Sequence, residues 1–418
     1  MKSGLQRIQP GRRSLGDYSE LAGEESIERV RALAQSLSGI RVIHVSPAAP
    51  RNNAPEMLRG LLPLAADAGV DIEWRVLYGA APFGDVARDL YDGLQGAETA
   101  IAPSTWSEYL EGVAAGAAGL CDDCDVLVLH DPATLGLLAQ DDGSARVVWR
   151  CHVDASEPEP ATWDRLVPLL ENCDWGVFAC NEFWPPNLGG DVRAIPPAID
   201  PLGPKNMDMP MRLAGHILRS LGLDLTRPLV CHVSRLDRWK DPHGVIDAFA
   251  QAKGALPDLQ LAMVGALPGE GPQDFRIARE VADYAAGIDD VRVMTSYTGV
   301  GDVEVGALQR VARVSLQRSL REGFGLAASE SLWKRTPVVA VPGGGLAAQV
   351  EDGSSGYLVA DTQEMAVRMA ELVADPGLAT ELGSAGRARV QERFLVTRLL
   401  EDELRLLASV SGTATLTS

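Results

Sequence analysis

Apolar runs of strand length alternate with stretches where apolar residues recur every three or four positions, and the alternation holds along most of the chain. The runs fit strands buried on both faces, and the 3–4 spacing fits helices lying on such a sheet. The pattern predicts strands at 40–46, 71–77, 126–130, 147–152, 175–180 and a short run near 194–195. Helices are predicted over 55–68, 83–95 and 106–120. The pattern then pauses, because residues 196–210 hold five prolines, a glycine and an asparagine, the composition of a linker. A second series begins at Pro228, with strands at 229–233, 260–264, 291–294, 315–317 and 338–341. Its helices are predicted over 243–255, 275–286, 302–312, 326–334 and 363–375. Residues 378–407, rich in Leu and Arg, read as one further helical stretch before a frayed tail. The expected fold is α/β, with two Rossmann-like, doubly wound parallel sheets and ligands at the carboxyl edges of their strands.

Composition narrows the picture. A chain of 418 residues is too long for one typical core and fits two domains, and 46% apolar content excludes general disorder. The net charge of −19 argues against nucleic acid or an acidic membrane as partner, since both need a positive field. A local anion site would have to come from a few placed Arg and Lys residues and from backbone amides. Residues 1–9 carry no apolar signal segment, and no apolar run approaches the ~18 residues of a membrane span, so a cytoplasmic protein is expected. Cys121-Asp-Asp-Cys124 offers half a metal or redox site, but no second pair matches it. Reduced, buried thiols are the better reading, and no metal site is expected.

Two segments carry candidate chemistry. In Ser319–Trp333 a strand end gives way to Glu322-Gly323-Phe324-Gly325, and a helix follows from Leu326. Glycines let backbone approach a ligand, and the free amides at a helix start favour an anion such as a diphosphate. Glu322 and Glu330 would offer carboxylates to hydroxyls, although a plain strand-turn-helix with two surface glutamates explains this segment alone equally well. The second segment, Val233–Pro242, places Arg235 and Lys240 in the loop after the first strand of the second series, with Asp241-Pro242 apt to start a helix. Two cations at a ligand-binding edge suit an anionic partner and the charge growing on a departing phosphate.

Together these segments resemble family 4 retaining glycosyltransferases of the GT-B fold. The marks are Glu322 and Glu330 with seven residues between them, and Arg235 and Lys240 five apart upstream. The likeness is closest to the trehalose glycosyltransferring synthases. It is carried by Tyr18–Glu24, His130-Asp131-Pro132, Trp149–Asp154, Ile199–Pro201, Lys205-Asn206, the Arg235 loop through Pro242, Val245–Asp247, Arg321–Lys334 and Phe394–Arg398. The resemblance implies transfer of a hexose, glucose above all, from an NDP-sugar to a sugar-like acceptor through a 1,1 linkage. It implies that Arg235 and Lys240 grip the diphosphate, Glu330 the ribose, and Glu322 and His152 the donor sugar. Gly323, Phe324, Gly325 and Leu326 would complete the phosphate cradle. His130, Asp131 and Asp154 would lie on the acceptor side.

The resemblance divides the chain into an acceptor-side domain over 1–205 and a donor-binding domain over 206–392, with a helix near 393–418 packing back on the first. No cofactor is obligatory by this reading. UDP-, ADP- or GDP-glucose serves as donor substrate, magnesium enters only as an activator, and a homodimer is compatible.

One loop departs from the family. Its first strand is followed by a glycine-rich loop, but here Pro47–Glu56 contains no glycine, and Arg51, Asn52 and Asn53 take the place of bare backbone. Ala133 also follows His130-Asp131-Pro132 where the family has Gln. Both changes favour, as an alternative, an aminosugar or aminocyclitol acceptor. A sugar-nucleotide epimerase and a non-catalytic nucleotide-sugar sensor are further alternatives. A Rossmann dehydrogenase lacks its Gly-x-Gly-x-x-Gly after the first strand.

Overall fold

The computed structural model describes residues 4–48, 54–114, 120–139, 143–185, 188–266 and 272–413. The chain forms two compact units: 1–197 joined by 396–418, and 198–395 between them. Residues 198–205 therefore lie with the second unit.

The first unit is built on seven strands: β1 (Gly4–Ile8), β2 (Arg41–Pro47), β3 (Asp71–Tyr78), β4 (Val126–His130), β5 (Arg146–Arg150), β6 (Trp175–Phe178) and β7 (Asp191–Ala194). Their order is β1-β3-β2-β4-β5-β6-β7, with β1 antiparallel and every other neighbour parallel. The chain winds from β2 out to β3, then returns to place β4 on the other side of β2. The order thus reverses between β2 and β4, and ligands of such sheets bind at the carboxyl ends of the strands at that point.

The second unit repeats the scheme with β8 (Leu229–Arg235), β9 (Gln260–Ala266), β10 (Val291–Thr295), β11 (Val314–Gln317), β12 (Val338–Ala340) and β13 (Gly356–Leu358). They are all parallel in the order β10-β9-β8-β11-β12-β13, so the reversal falls between β8 and β11. Alternation along β8 explains its unbroken apolar run. Val230 enters the core on one face with Phe249, Leu261 and Met369, while Leu229, Cys231 and Val233 enter the other with Ala262 and Leu308.

Several boundaries differ from the sequence pattern. The strand predicted to 152 stops at Arg150, so His152 lies beyond the sheet in the loop. The stretch 378–407 is two helices, Pro376–Arg393 and Val396–Val410. The break at Phe394-Leu395 is needed because Leu395 forms a bridge to Ile199 and the Phe394 carbonyl accepts from the Ile199 amide at 2.9 Å, pairings that helical backbone would deny. Strands β1 and β13 and the helices Glu24–Ser36, Pro160–Leu170 and Met211–Ser220 are additional to the predicted set.

Candidate functional site

In the second unit the order reversal sets the carboxyl end of β8 beside that of β11, and both candidate segments begin there. Arg235 is the last residue of β8 and pairs with Asp237 at 3.2 Å. The Asp237 carboxylate accepts from the Trp239 amide at 3.0 Å, which closes one tight turn over Arg238–Lys240. Asp241 follows at φ 37°, where a short polar side chain is tolerated, and caps the helix Pro242–Lys253 through the Gly244 amide at 3.1 Å. These caps fix the direction of Lys240, whose ammonium is buried against the Glu322 carboxylate. The Ser319 hydroxyl donates to the same Glu322 oxygen at 3.1 Å.

Burial pushes the Lys240 ammonium down to about 7, with Arg235 adding to the push and Asp237 opposing it. Contact with the Glu322 carboxylate favours the charged form, as any further anion placed there would.

The loop carrying Glu322 is shaped by glycines at close quarters. Gly325 at φ 79° is the N-cap of the helix Leu326–Trp333. Gly344, at φ 58°, packs directly on the Glu322 carbonyl, where a Cβ has no room. Gln349 ties the two loops together: its amide donates to the carbonyls of Phe324 and, at 3.1 Å, Gly345, while its oxygen accepts from the Ser329 amide at 2.9 Å. Phe324 is buried edge-on against Phe394 at 5.5 Å between ring centres. Gly323 is buried, and Leu326 opens the helix half-buried.

Glu330 sits on that same helix, about one turn in, within a second cluster. One carboxylate oxygen pairs with Lys205 at 3.1 Å, and the other accepts from Gln309 at 3.2 Å. Lys334 donates to Asn206, Gln309 and the Glu330 carbonyl at 2.8, 3.0 and 3.1 Å. Burial works to raise the Glu330 carboxyl, but Lys205, Lys334 and the Gln309 hydrogen bond outweigh it and hold the group below the usual range. Burial likewise brings Lys334 down to about 8, with Glu330 opposing.

In the first unit, strands β2 and β4 and the loop after β5 align three buried histidines. His44 Nδ1 lies 3.0 Å from His130 Nε2, and His130 Nδ1 lies 2.9 Å from His152 Nε2. The rings stack at 5.3 and 5.2 Å between centres. Burial lowers all three, His44 to about 4 and His152 to about 3, so the row is neutral at pH 7. Asp131, at φ 63°, accepts from the His152 amide at 3.4 Å. Asp154 instead folds back on Ser156, accepting from its amide at 3.0 Å and its hydroxyl at 2.7 Å. Arg51, Asn52 and Asn53 lie outside the described residues.

The sequence pattern did not single out His44, Arg150, Glu403, Gln309 or Gln349. Arg150 and Glu403 form a buried ion pair, and Glu403 comes from the helix Val396–Val410. A signal was present for two of them, since His44 interrupts the apolar run of β2 and Glu403 stands among buried leucines. Cys121 and Cys124 are both buried and form no disulfide, and burial raises the Cys124 thiol to about 12. Among the described residues no helix is long and apolar enough to cross a membrane.

Known proteins bear on this arrangement at three levels. The family model described as trehalose synthase, N-terminal domain, matches residues 54–185, and that for glycosyl transferases group 1 matches 216–389. A trehalose synthase of Rubrobacter xylanophilus is 38% identical over 98% of this chain and 100% of its own length. One from Pyrococcus horikoshii is 31% identical over 98% and 99%. Among solved structures, Anabaena HepE in complex with UDP and glucose superposes with a TM-score of 0.67 at 18% identity, covering 88% of this chain and 100% of that one. The full-length likeness to trehalose synthases does not favour a diverged aminosugar or aminocyclitol acceptor. Two doubly wound sheets, each reversing its strand order beside a cluster of buried charged or imidazole side chains, and relatedness along nearly the whole sequence lead to one assignment: the chain belongs to the trehalose synthase family and is a glycosyltransferase.

Proposed function

We propose that the enzyme transfers glucose from a nucleoside-diphosphate glucose to glucose with retention, forming a 1,1 linkage. The observation that carries this reading is the buried Lys240–Glu322 pair beside Arg235 at the strand-order reversal of the second sheet. Arg235 and Lys240 neutralise the diphosphate, and the amides of the Gly323–Leu326 turn cradle it. Glu330, held ionised by its lysines, accepts from the ribose hydroxyls. Glu322 and His152 bind the donor sugar, while His130, Asp131 and Asp154 serve the acceptor side with Arg51, Asn52 and Asn53.

The acceptor hydroxyl attacks the anomeric carbon on the face from which the diphosphate departs. The bond from carbon to phosphate oxygen breaks as the new glycosidic bond forms, and the leaving phosphate takes the hydroxyl proton. Catalysis by the protein is then positioning and charge stabilisation. Magnesium enters only as an activator, so turnover should persist in excess EDTA. A cytoplasmic location is part of this proposal, supported by six cysteines that form no disulfide. A homodimer belongs to the same reading, and light scattering in solution tests it.

The deciding experiment incubates the protein with glucose and UDP-, ADP- or GDP-glucose and identifies the product by NMR. α,α-Trehalose with release of the nucleoside diphosphate is expected, and Arg235→Ala or Lys240→Ala should lower kcat by about 100- to 1,000-fold. Nucleotide release without disaccharide, or full turnover by both variants, would overturn the reading.

A further inference from the structure

Three neutral imidazoles in a hydrogen-bonded row have only two arrangements, because each N···N contact needs one N–H and one lone pair. In the first, every ring carries its proton on Nε2. His152 then donates to His130 Nδ1, His130 donates to His44 Nδ1, and His44 Nε2–H points out of the row. In the second, every ring carries its proton on Nδ1, and the row runs the other way. His44 Nε2 is then a bare lone pair, and His152 presents Nδ1–H.

The choice is made at the His44 end. His44 Nε2 lies 4.0 Å from Glu403 Oε1, and the other oxygen of that carboxylate is paired with Arg150. Neither His44 Nε2 nor Glu403 Oε1 has a hydrogen-bond partner among the described residues. All three side chains are almost fully buried, so water screens little, and at the His44 ring the carboxylate's charge outweighs the opposing charge of Arg150. An N–H dipole facing a carboxylate is attracted, and a lone pair facing it is repelled.

We infer that Glu403, through His44 and His130, fixes His152 as the Nε2–H tautomer and so leaves His152 Nδ1 as a hydrogen-bond acceptor. Glu403 is a positioning residue, acting along some three side chains without touching substrate. If His152 contacts the sugar, as proposed above, it accepts from a hydroxyl there; this last step rests on that reading, whereas the tautomer does not.

The test is a long-range ¹H–¹⁵N NMR correlation of histidine-labelled protein at pH 7, without substrate. Wild type should show His44, His130 and His152 all protonated on Nε2. In Glu403→Gln, the amide oxygen serves Arg150 and the NH2 faces His44, so the proton should shift to Nδ1 on all three rings. Glu403→Asp, which keeps the carboxylate, should retain the wild-type pattern. A proton on Nδ1 of any of the three in wild type overturns the inference, as does an unchanged pattern in folded Glu403→Gln. Should that variant fail to fold, the wild-type spectrum alone decides. Loss of turnover in His152→Ala tests the sugar contact separately, so the two failures are distinguishable.

Discussion

Lys240 illustrates how one side chain can hold an ion pair and still remain responsive. Burial and Arg235 bring its ammonium down to about 7, so near neutral pH part of the population is uncharged. A diphosphate bound beside it would raise that value again, so binding should take up a proton. The sign follows: donor affinity is full below pH 7 and weakens as pH rises above 7, by at most about tenfold per pH unit for one proton. Calorimetry at pH 8 in buffers of different ionisation enthalpy should register the uptake. Lys240→Arg, which cannot lose its charge in this range, should abolish it. Arg235 and Lys240 were legible because cations stand out in an acidic chain at a strand end. Glu330 was legible by spacing, but its setting was not: Lys205 comes from the proline-rich segment and Gln309 from the preceding helix, and no sequence period links them.

Among the elements, the loop around Glu322 depends on backbone that only glycine supplies. Gly344 combines a left-handed φ with contact on the Glu322 carbonyl. Gly344→Ala should therefore displace the Glu322 loop, weakening nucleotide-sugar binding at least tenfold and lowering Tm by several degrees, as a calorimetric titration and a melting scan would show. The long apolar strands were readable from the sequence because both their faces are buried. Strand β1 was not, since an antiparallel edge strand of five residues is half polar, and β13 is too short to show a period. The helix Glu24–Ser36 did carry a signal in Ile27, Val30 and Ala34, spaced by three and four. The break at Phe394-Leu395 is set by pairing with Ile199 far away in sequence, which local pattern cannot express.

For the whole molecule, the helix Val396–Val410 returns to the first unit and completes it. Val396, Leu399, Leu400, Leu404 and Leu407 are all buried there, and Arg398 donates to the Pro196 and Pro197 carbonyls at 2.7 and 3.3 Å. Burying such side chains contributes about 1.5–3 kcal/mol each, so together they match the ~5–15 kcal/mol net stability of an ordinary domain. A fragment of residues 1–197 should therefore lack a cooperative melt in circular dichroism, and adding 396–418 through a short linker should restore one. A native-like transition in the shorter fragment would refute this.

That return has a consequence for synthesis. The first unit emerges from the ribosome without the helix that fills its core and without the carboxylate that pairs with Arg150. It must wait while residues 198–395 are made, about 10–40 s at ~5–20 residues per second. Over that interval the nascent chain exposes an apolar seam and an unpaired guanidinium, a natural target for chaperones. The second unit, continuous in sequence, is free to fold first although it is made later.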